Sequence, residues 1–164
     1  MFDNRTGEVI ERFNRHINIG CKLSAFIKKL TGITQEQVDN GVSINAAYEE
    51  LKELLKRHKV IKAPVVWGSG DLVALNKEAG DWSLGRGELN MKAYYQGLAD
   101  CLGKKVRGGL GKSMGQLGLQ FKGHAHDALV DAENTKVLYN YLMQSTCAWI
   151  EMSNRYPFKG SEEL

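Results

Sequence analysis

No run in this sequence approaches the ~18 consecutive apolar residues that a membrane-spanning helix requires. The first residues, Met1-Phe2-Asp3-Asn4, lead straight into polar sequence, without the basic stretch and apolar core of a secretory signal. A cytoplasmic protein with no membrane anchor is the expectation. Cysteine is scarce: Cys21, Cys101 and Cys147 are odd in number and scattered, which argues against a disulfide framework or a thiolate zinc site. All three read as reduced thiols acting as small apolar residues. No internal repeat or low-complexity segment divides the 164 residues, so a single domain over 1–164 is expected, with a loose tail from about residue 155. A chain of that length buries roughly two-thirds of its unfolded surface without needing staples.

Excess charge is also missing. The net charge of +3 is too small to name a nucleic-acid partner by itself. Its distribution says more, because Lys104, Lys105, Arg107 and Lys112 fall within nine residues that contain no acid. The mixture of acids and bases from Glu49 to Lys62, by contrast, reads as a solvated helix face.

Taken in order, Asn4-Arg5-Thr6-Gly7 is a turn cluster, and Glu8 to Ile17 behind it carries β-branched and aromatic residues in partial alternation. This predicts the second arm of a β-hairpin. Only Met1-Phe2-Asp3 precedes the turn, so the first arm is expected to be cut off. Ser24 to Leu30 and the capping-box pattern Thr34-Gln35-Glu36-Gln37 predict two short helical turns. Ser43 caps a helix to about Arg57, with Ile44, Ala47, Tyr48, Leu51, Leu54 and Leu55 at three-and-four spacing. Val60 to Trp67 predicts a buried strand weakened by Pro64, followed by Gly68-Ser69-Gly70 and a short helix opened by Asp71 with Leu72, Leu75 and Ala79 inward. Gly80 to Asn90 reads as a loop containing Trp82. A helix over Met91 to Leu102 can include Tyr94, Tyr95 and Leu98, and a loop from Gly103 to Lys112 leads to a second capping-box pattern at Ser113-Met114-Gly115-Gln116. The last helix is expected from about His126 to beyond Trp149, with Leu129, Ala132, Val137, Leu138, Tyr141 and Leu142 in the core. This order makes an α/β or α+β domain with one mixed sheet.

Several groups invite chemistry. Gly108-Gly109-Leu110-Gly111-Lys112-Ser113 approximates a phosphate-binding loop, but Val106 stands where that pattern needs its first glycine. A mobile loop ending in a helix cap fits better, and its cations can also touch a nucleic-acid backbone. His124 and His126 lack further ligands for a zinc site, so His124 reads as a surface histidine. Asp71, at the exit of a strand, is either a functional carboxylate on the ligand crevice or a plain helix cap. Trp82, Tyr94 and Tyr95 can stack on bases or fill a core.

His126 and Asp131 stand apart from these. Placed on one helix they are separated by ~7.5 Å of rise, so they flank one small centre without touching each other. Phosphodiester hydrolysis uses such a pair: carboxylates hold divalent ions that neutralise phosphate oxygens, and a histidine takes the proton of the attacking water. The alternatives are a helix-start histidine with a satisfied hydrogen bond and a first-turn acid that complements the helix dipole.

Together these pieces resemble the DEDDh 3′–5′ exonucleases, the family of ribonuclease T and of the proofreading subunit of bacterial replicative polymerase. Thr6-Gly7-Glu8-Val9-Ile10-Glu11-Arg12-Phe13 is similar to the family's second strand, and Thr31-Gly32-Ile33-Thr34 to a frequent segment. Trp67-Gly68-Ser69-Gly70-Asp71 resembles its second motif. His126-Asp127-Ala128-Leu129-Val130-Asp131 fits its third: histidine, any residue, alanine, two residues, aspartate. The resemblance implies an α/β, ribonuclease H-like mixed sheet flanked by helices and a metal-dependent 3′–5′ exonuclease acting on single-stranded 3′ ends of DNA or RNA, in a family where some members dimerise. It implies His126 as general base, Asp131 and Asp71 as metal-binding acids, and two Mg²⁺ or Mn²⁺ ions as cofactors; separately, the acid-free basic cluster makes Lys104, Lys105, Arg107 and Lys112 candidate nucleic-acid contacts.

The family also carries an aspartate and a glutamate, one residue apart, on its first strand. No such pair occurs before Thr6. With the short hairpin arm, this leads to the expectation that the chain begins inside the family domain, its N-terminal strands missing, with weak metal binding and little catalysis. The alternative function is then a catalytically impaired nucleic-acid-binding module that keeps the fold.

Overall fold

Asp3 turns the chain back on itself within its first ten residues. Its carboxylate accepts hydrogen bonds from the Arg5 and Thr6 amides at 2.7 and 3.2 Å, and these hold it below the usual carboxylate range. Gly7, at φ +73°, donates its amide to the Asp3 carbonyl, and Phe2 pairs antiparallel with Val9. In the computed structural model, which describes residues 1–60, 64–79, 87–106 and 108–155 (side chains at 72, 76, 78–79 and 147–155 excepted), Met1–Asp3 therefore serves as the hairpin's first arm. The arm expected to be cut off is short but paired. Further on, Ile17 pairs parallel with Val42. Gly41 permits that approach, since a Cβ there would stand 2.5 Å from the His16 carbonyl oxygen.

Local capping dictates the next helices much as the spacing predicts. Ser24 caps α1 (Ala25–Thr31), which ends on left-handed Gly32; Thr34 and Gln37 form a complete capping box on α2 (Gln35–Asp39); Ser43 caps α3 (Ile44–Arg57). The Thr31-Gly32-Ile33-Thr34 segment is thus a helix stop joined to a helix start. Ala47 and Leu54 are the buried positions of α3.

The predicted strand over 60–67 is observed as β1 (Val65–Val66), with 61–63 outside the described residues. It pairs parallel with β2 (Leu89–Asn90), Val65 opposite Leu89. β2 falls where a loop is expected, because two residues before a helix cap offer no alternation to read. Between the strands runs α4 (Asp71–Ala79), and α5 (Met91–Cys101) follows directly, capped by Asn90. α6 (Leu110–Gln116) and α7 (Ala128–Arg155) complete the described elements. Met91, Tyr95, Leu110, Met114, Leu138 and Leu142 bring α5, α6 and α7 together over the two strands, with Val65 and Leu89 packed against them.

Four expectations are corrected. Ser113 does not start a helix: α6 begins at Leu110 with Gly109 as its N-cap, so Lys112 lies on the helix, and Ser113 is buried with no partner for its hydroxyl among the described residues. Burial of Leu110 and Met114, one turn apart, decides that start. α7 begins at Ala128, two residues later than expected. Its buried face runs through Asn134, Thr135, Leu138 and Leu142, which leaves Val137 and Tyr141 43% and 40% exposed, while Leu98 on α5 is also exposed. Cys21 and Cys101 are exposed free thiols rather than buried apolar residues. Trp82, Arg107 and the tail 156–164 lie outside the described residues. Among those described, no helix is long and apolar enough to cross a membrane.

Candidate active site at the mouth of the last helix

Asp127, rather than His126, caps α7. Its Oδ1 accepts from the Leu129 and Val130 amides at 2.9 and 3.1 Å, and its carbonyl accepts from the Asp131 amide at 2.8 Å. His126 therefore lies outside the helix, exposed, with φ +71°, a left-handed conformation uncommon for a residue with a Cβ. The helical rise between His126 and Asp131 thus does not apply. Instead the two touch: the His126 amide donates to Asp131 Oδ2 at 3.2 Å. A carboxylate on the first turn of α7 fastens the backbone of the turn that carries the imidazole. Asp131 is itself half-buried, and its carbonyl accepts from the Thr135 hydroxyl at 2.8 Å.

Asp71 is placed by the end of β1. Bends through Trp67–Gly70, with Gly70 at φ +108°, turn the chain into α4, whose first residue is Asp71. Its side chain is exposed and makes no hydrogen bond or ion pair among the described residues. α7 packs on β1, and β1 runs out into the turn before Asp71.

Lys104 and Lys105 stand exposed after α5, and exposed Lys112 lies one turn into α6 with its stem folded over Gly108. His124 is exposed, as expected. Tyr95 is buried and Tyr94 half-buried, bonded to Gln116 and Thr146 respectively, so both belong to the packing rather than to a base-stacking platform. Two residues of this region escaped the sequence reading. The motif treats Asp127 only as its variable residue, although an aspartate beside a helix start is a capping signal. Asn134, a poor helix former inside an apolar helix face, carried a similar clue.

Carboxylates such as Asp131 and Asp71 are the hard oxygen donors that Mg²⁺ and Mn²⁺ take. In kind, then, the donors suit a divalent ion. In number they do not, because among the described residues no three His, Cys, Asp or Glu side chains gather closely enough to hold one. The residues present do not by themselves make a two-ion centre. A cleft of ≈ 640 Å³, between residues 11–15 and α3, is lined by Arg12, Arg15 and Arg57 but also by Glu11, Glu49, Glu50 and Glu53. Its acids offset its bases, so it is no phosphate track.

Comparison with known proteins places this geometry. A family model described as an exonuclease of the RNase_T type matches residues 1–139. The zebrafish (Danio rerio) protein named ERI1 exoribonuclease 2 is 32% identical over 149 residues, covering 76% of this chain and 26% of the relative. The mouse (Mus musculus) protein of the same name is 24% identical over 172 residues, covering 90% and 25%. The chain thus spans about a quarter of the length of these relatives. Among solved structures, the nuclease domain of 3′hExo, described as a DEDDh family member bound to rAMP, superposes with a TM-score of 0.77 at 21% identity, covering 89% of this chain and 78% of that one. At that identity the likeness establishes the fold, a ribonuclease H-like α/β sheet with flanking helices. Since the exonuclease family model matches residues 1–139 of the 164 and the fold is that of a DEDDh member, the chain belongs to the DEDDh 3′–5′ exonuclease family.

Proposed function

We propose that this chain is one exonuclease domain that removes nucleotides from single-stranded 3′ ends, RNA foremost. The observation that carries the proposal is the His126 turn, held by its own amide to the Asp131 carboxylate at the mouth of α7. In this reading His126 is the general base: water attacks the terminal phosphorus, its proton passes to the imidazole, and the bond to the neighbouring 3′ oxygen breaks to release a nucleoside monophosphate. Asp131 holds the turn so that the ring faces the scissile bond, and Asp71 supplies a second carboxylate across β1. Asp131 and Asp71 would be this chain's donors to a divalent ion, Mg²⁺ or Mn²⁺, which would supply neutralisation of phosphate charge. RNA is preferred over DNA because the relatives are named exoribonucleases and one solved neighbour is described as recognising the 3′ end of a histone mRNA stem-loop.

Incubation of the protein with 5′-labelled single-stranded RNA and Mg²⁺ tests the reading. A ladder receding from the 3′ end is expected, faster on RNA than on DNA of the same sequence. A label that stays at full length in Mg²⁺ and Mn²⁺ defeats it. The small number of gathered ligands favours one second reading, a module that binds nucleic acid with impaired catalysis, and that reading predicts retention of the RNA without shortening.

Both readings assign Lys104, Lys105 and Lys112 to the phosphate backbone, with Arg107 as a fourth member by sequence. Replacing the three lysines by glutamine is expected to weaken RNA binding by ~10-fold or more at low salt and to flatten the salt dependence by about two counterions. Fluorescence anisotropy across a salt series measures both. An unchanged slope would remove these lysines from the contact surface.

A further inference from the structure

His126 is held at a distance as well as by contact, and Asn134 supplies the more distant hold. Asn134 lies on the buried face of α7, 4% exposed, where an amide must have partners. Its Oδ1 accepts from the Lys122 amide at 3.0 Å, and its Nδ2 donates to the Lys122 and Val130 carbonyls at 2.8 Å each. The orientation of the side-chain amide is fixed by those partners, since a backbone N–H can only donate and a carbonyl can only accept. Asn134 thereby hydrogen-bonds both main-chain groups of Lys122, as a neighbouring strand would, and ties the incoming chain to the second turn of α7.

Between Lys122 and Ala128 lie only the residues Gly123–Asp127. Gly123 has φ +89°, and a Cβ there would stand 2.9 Å from Val130 Cγ1, so the chain passes directly against the helix. At the far end Asp127 caps α7. The His126 loop is therefore anchored at both ends to the same two turns of α7, and its middle is fastened by Asp131. We infer that Asn134 is a positioning residue for the reaction proposed above, setting the path of Gly123–Asp127 and with it the placement of the His126 imidazole. Two of its three hydrogen bonds go to the single residue Lys122, outside the helix, which is more than filling the buried face of α7 requires. Thr135, its equally buried neighbour, bonds only to its own helix.

The test uses Asn134→Asp, which keeps the volume and the bond from the Lys122 amide but sets a carboxylate against two carbonyls, and Asn134→Ser, which shortens the side chain. Leu138→Ala is the control, one turn further along the buried face and remote from the loop. In the ¹⁵N-labelled protein, without substrate or metal, the His126 amide is expected to exchange at least ~10-fold faster in the Asn134 variants and at the native rate in Leu138→Ala. On RNA the Asn134 variants are expected to lose ~10–100-fold in kcat with KM moved less than about twofold, as for a misplaced catalytic group. A His126 amide that exchanges at the native rate in folded Asn134 variants overturns the inference, as does an equal kcat loss in Leu138→Ala. Absence of RNA shortening by the unaltered protein removes the proposed activity alone, and the amide measurement still decides the role of Asn134.

Discussion

Replacing His126 by Asn is expected to lower kcat on single-stranded RNA by ~10²–10⁴-fold while leaving KM within about twofold. Asparagine is the informative substitution because it tolerates the left-handed conformation at φ +71°, where alanine would add backbone strain to the chemical loss. The amide that donates to Asp131 is unchanged by the replacement, so the turn keeps its fastening. What disappears is the ring able to take a proton. Single-turnover kinetics on 5′-labelled RNA at saturating protein separates this loss from weaker binding. Retention of native kcat by the asparagine variant would show that the proton goes elsewhere.

Leu138→Ala is expected to cost ~2–5 kcal/mol of stability, the range for emptying a leucine site in a packed core. Leu138 has 0% exposure and lies with Met91 and Met114 where α5, α6 and α7 meet. For a chain of this size the loss corresponds to a fall of about 5–20 °C in Tm, read by thermal unfolding followed by circular dichroism. Leu138 stands two turns from Asp131 along α7, within the core cluster and away from the loop that carries His126. Below the lowered Tm the variant is expected to shorten RNA at the native kcat, because the loop carrying His126 is anchored independently of Leu138. A Tm shift under about 2 °C would mean that α7 is not held by this cluster.

Local signals explain which parts of the fold could be read in advance. Ser24, Thr34 and Ser43 each cap a helix through bonds made within three residues, and such bonds depend on little beyond the adjacent sequence. Ser113 shows the limit of that logic. Its capping pattern is as good as that of Thr34, yet burial of Leu110 and Met114 starts α6 three residues earlier and puts the hydroxyl inside the helix. β2 was invisible for a related reason, since a two-residue strand is defined by its partner Val65 rather than by its own alternation. On α7 the three-and-four spacing admitted two faces. Leu138 and Leu142 were on the right one, and Val137 and Tyr141 were not, because the polar Asn134 and Thr135 belong to the buried side.

The candidate site divides in the same way. The spacing of His126 and Asp131 marks them as partners, but helical spacing does not describe a pair that spans a left-handed turn and a helix cap. Asp127 and Asn134 supply that geometry through bonds to backbone groups, and backbone partners leave no mark in a sequence beyond a residue out of keeping with its place.

A double-variant cycle tests whether His126 and Asp131 act as one unit. Asp131→Asn keeps an oxygen able to accept from the His126 amide while removing the charge. With RNA shortening measured for the unaltered protein, His126→Asn, Asp131→Asn and the double variant, the account predicts that each single change loses most of the activity and that the double change loses no more than the worse single one. Losses that multiply, or an unaltered protein that shortens no RNA in Mg²⁺ or Mn²⁺, would contradict it.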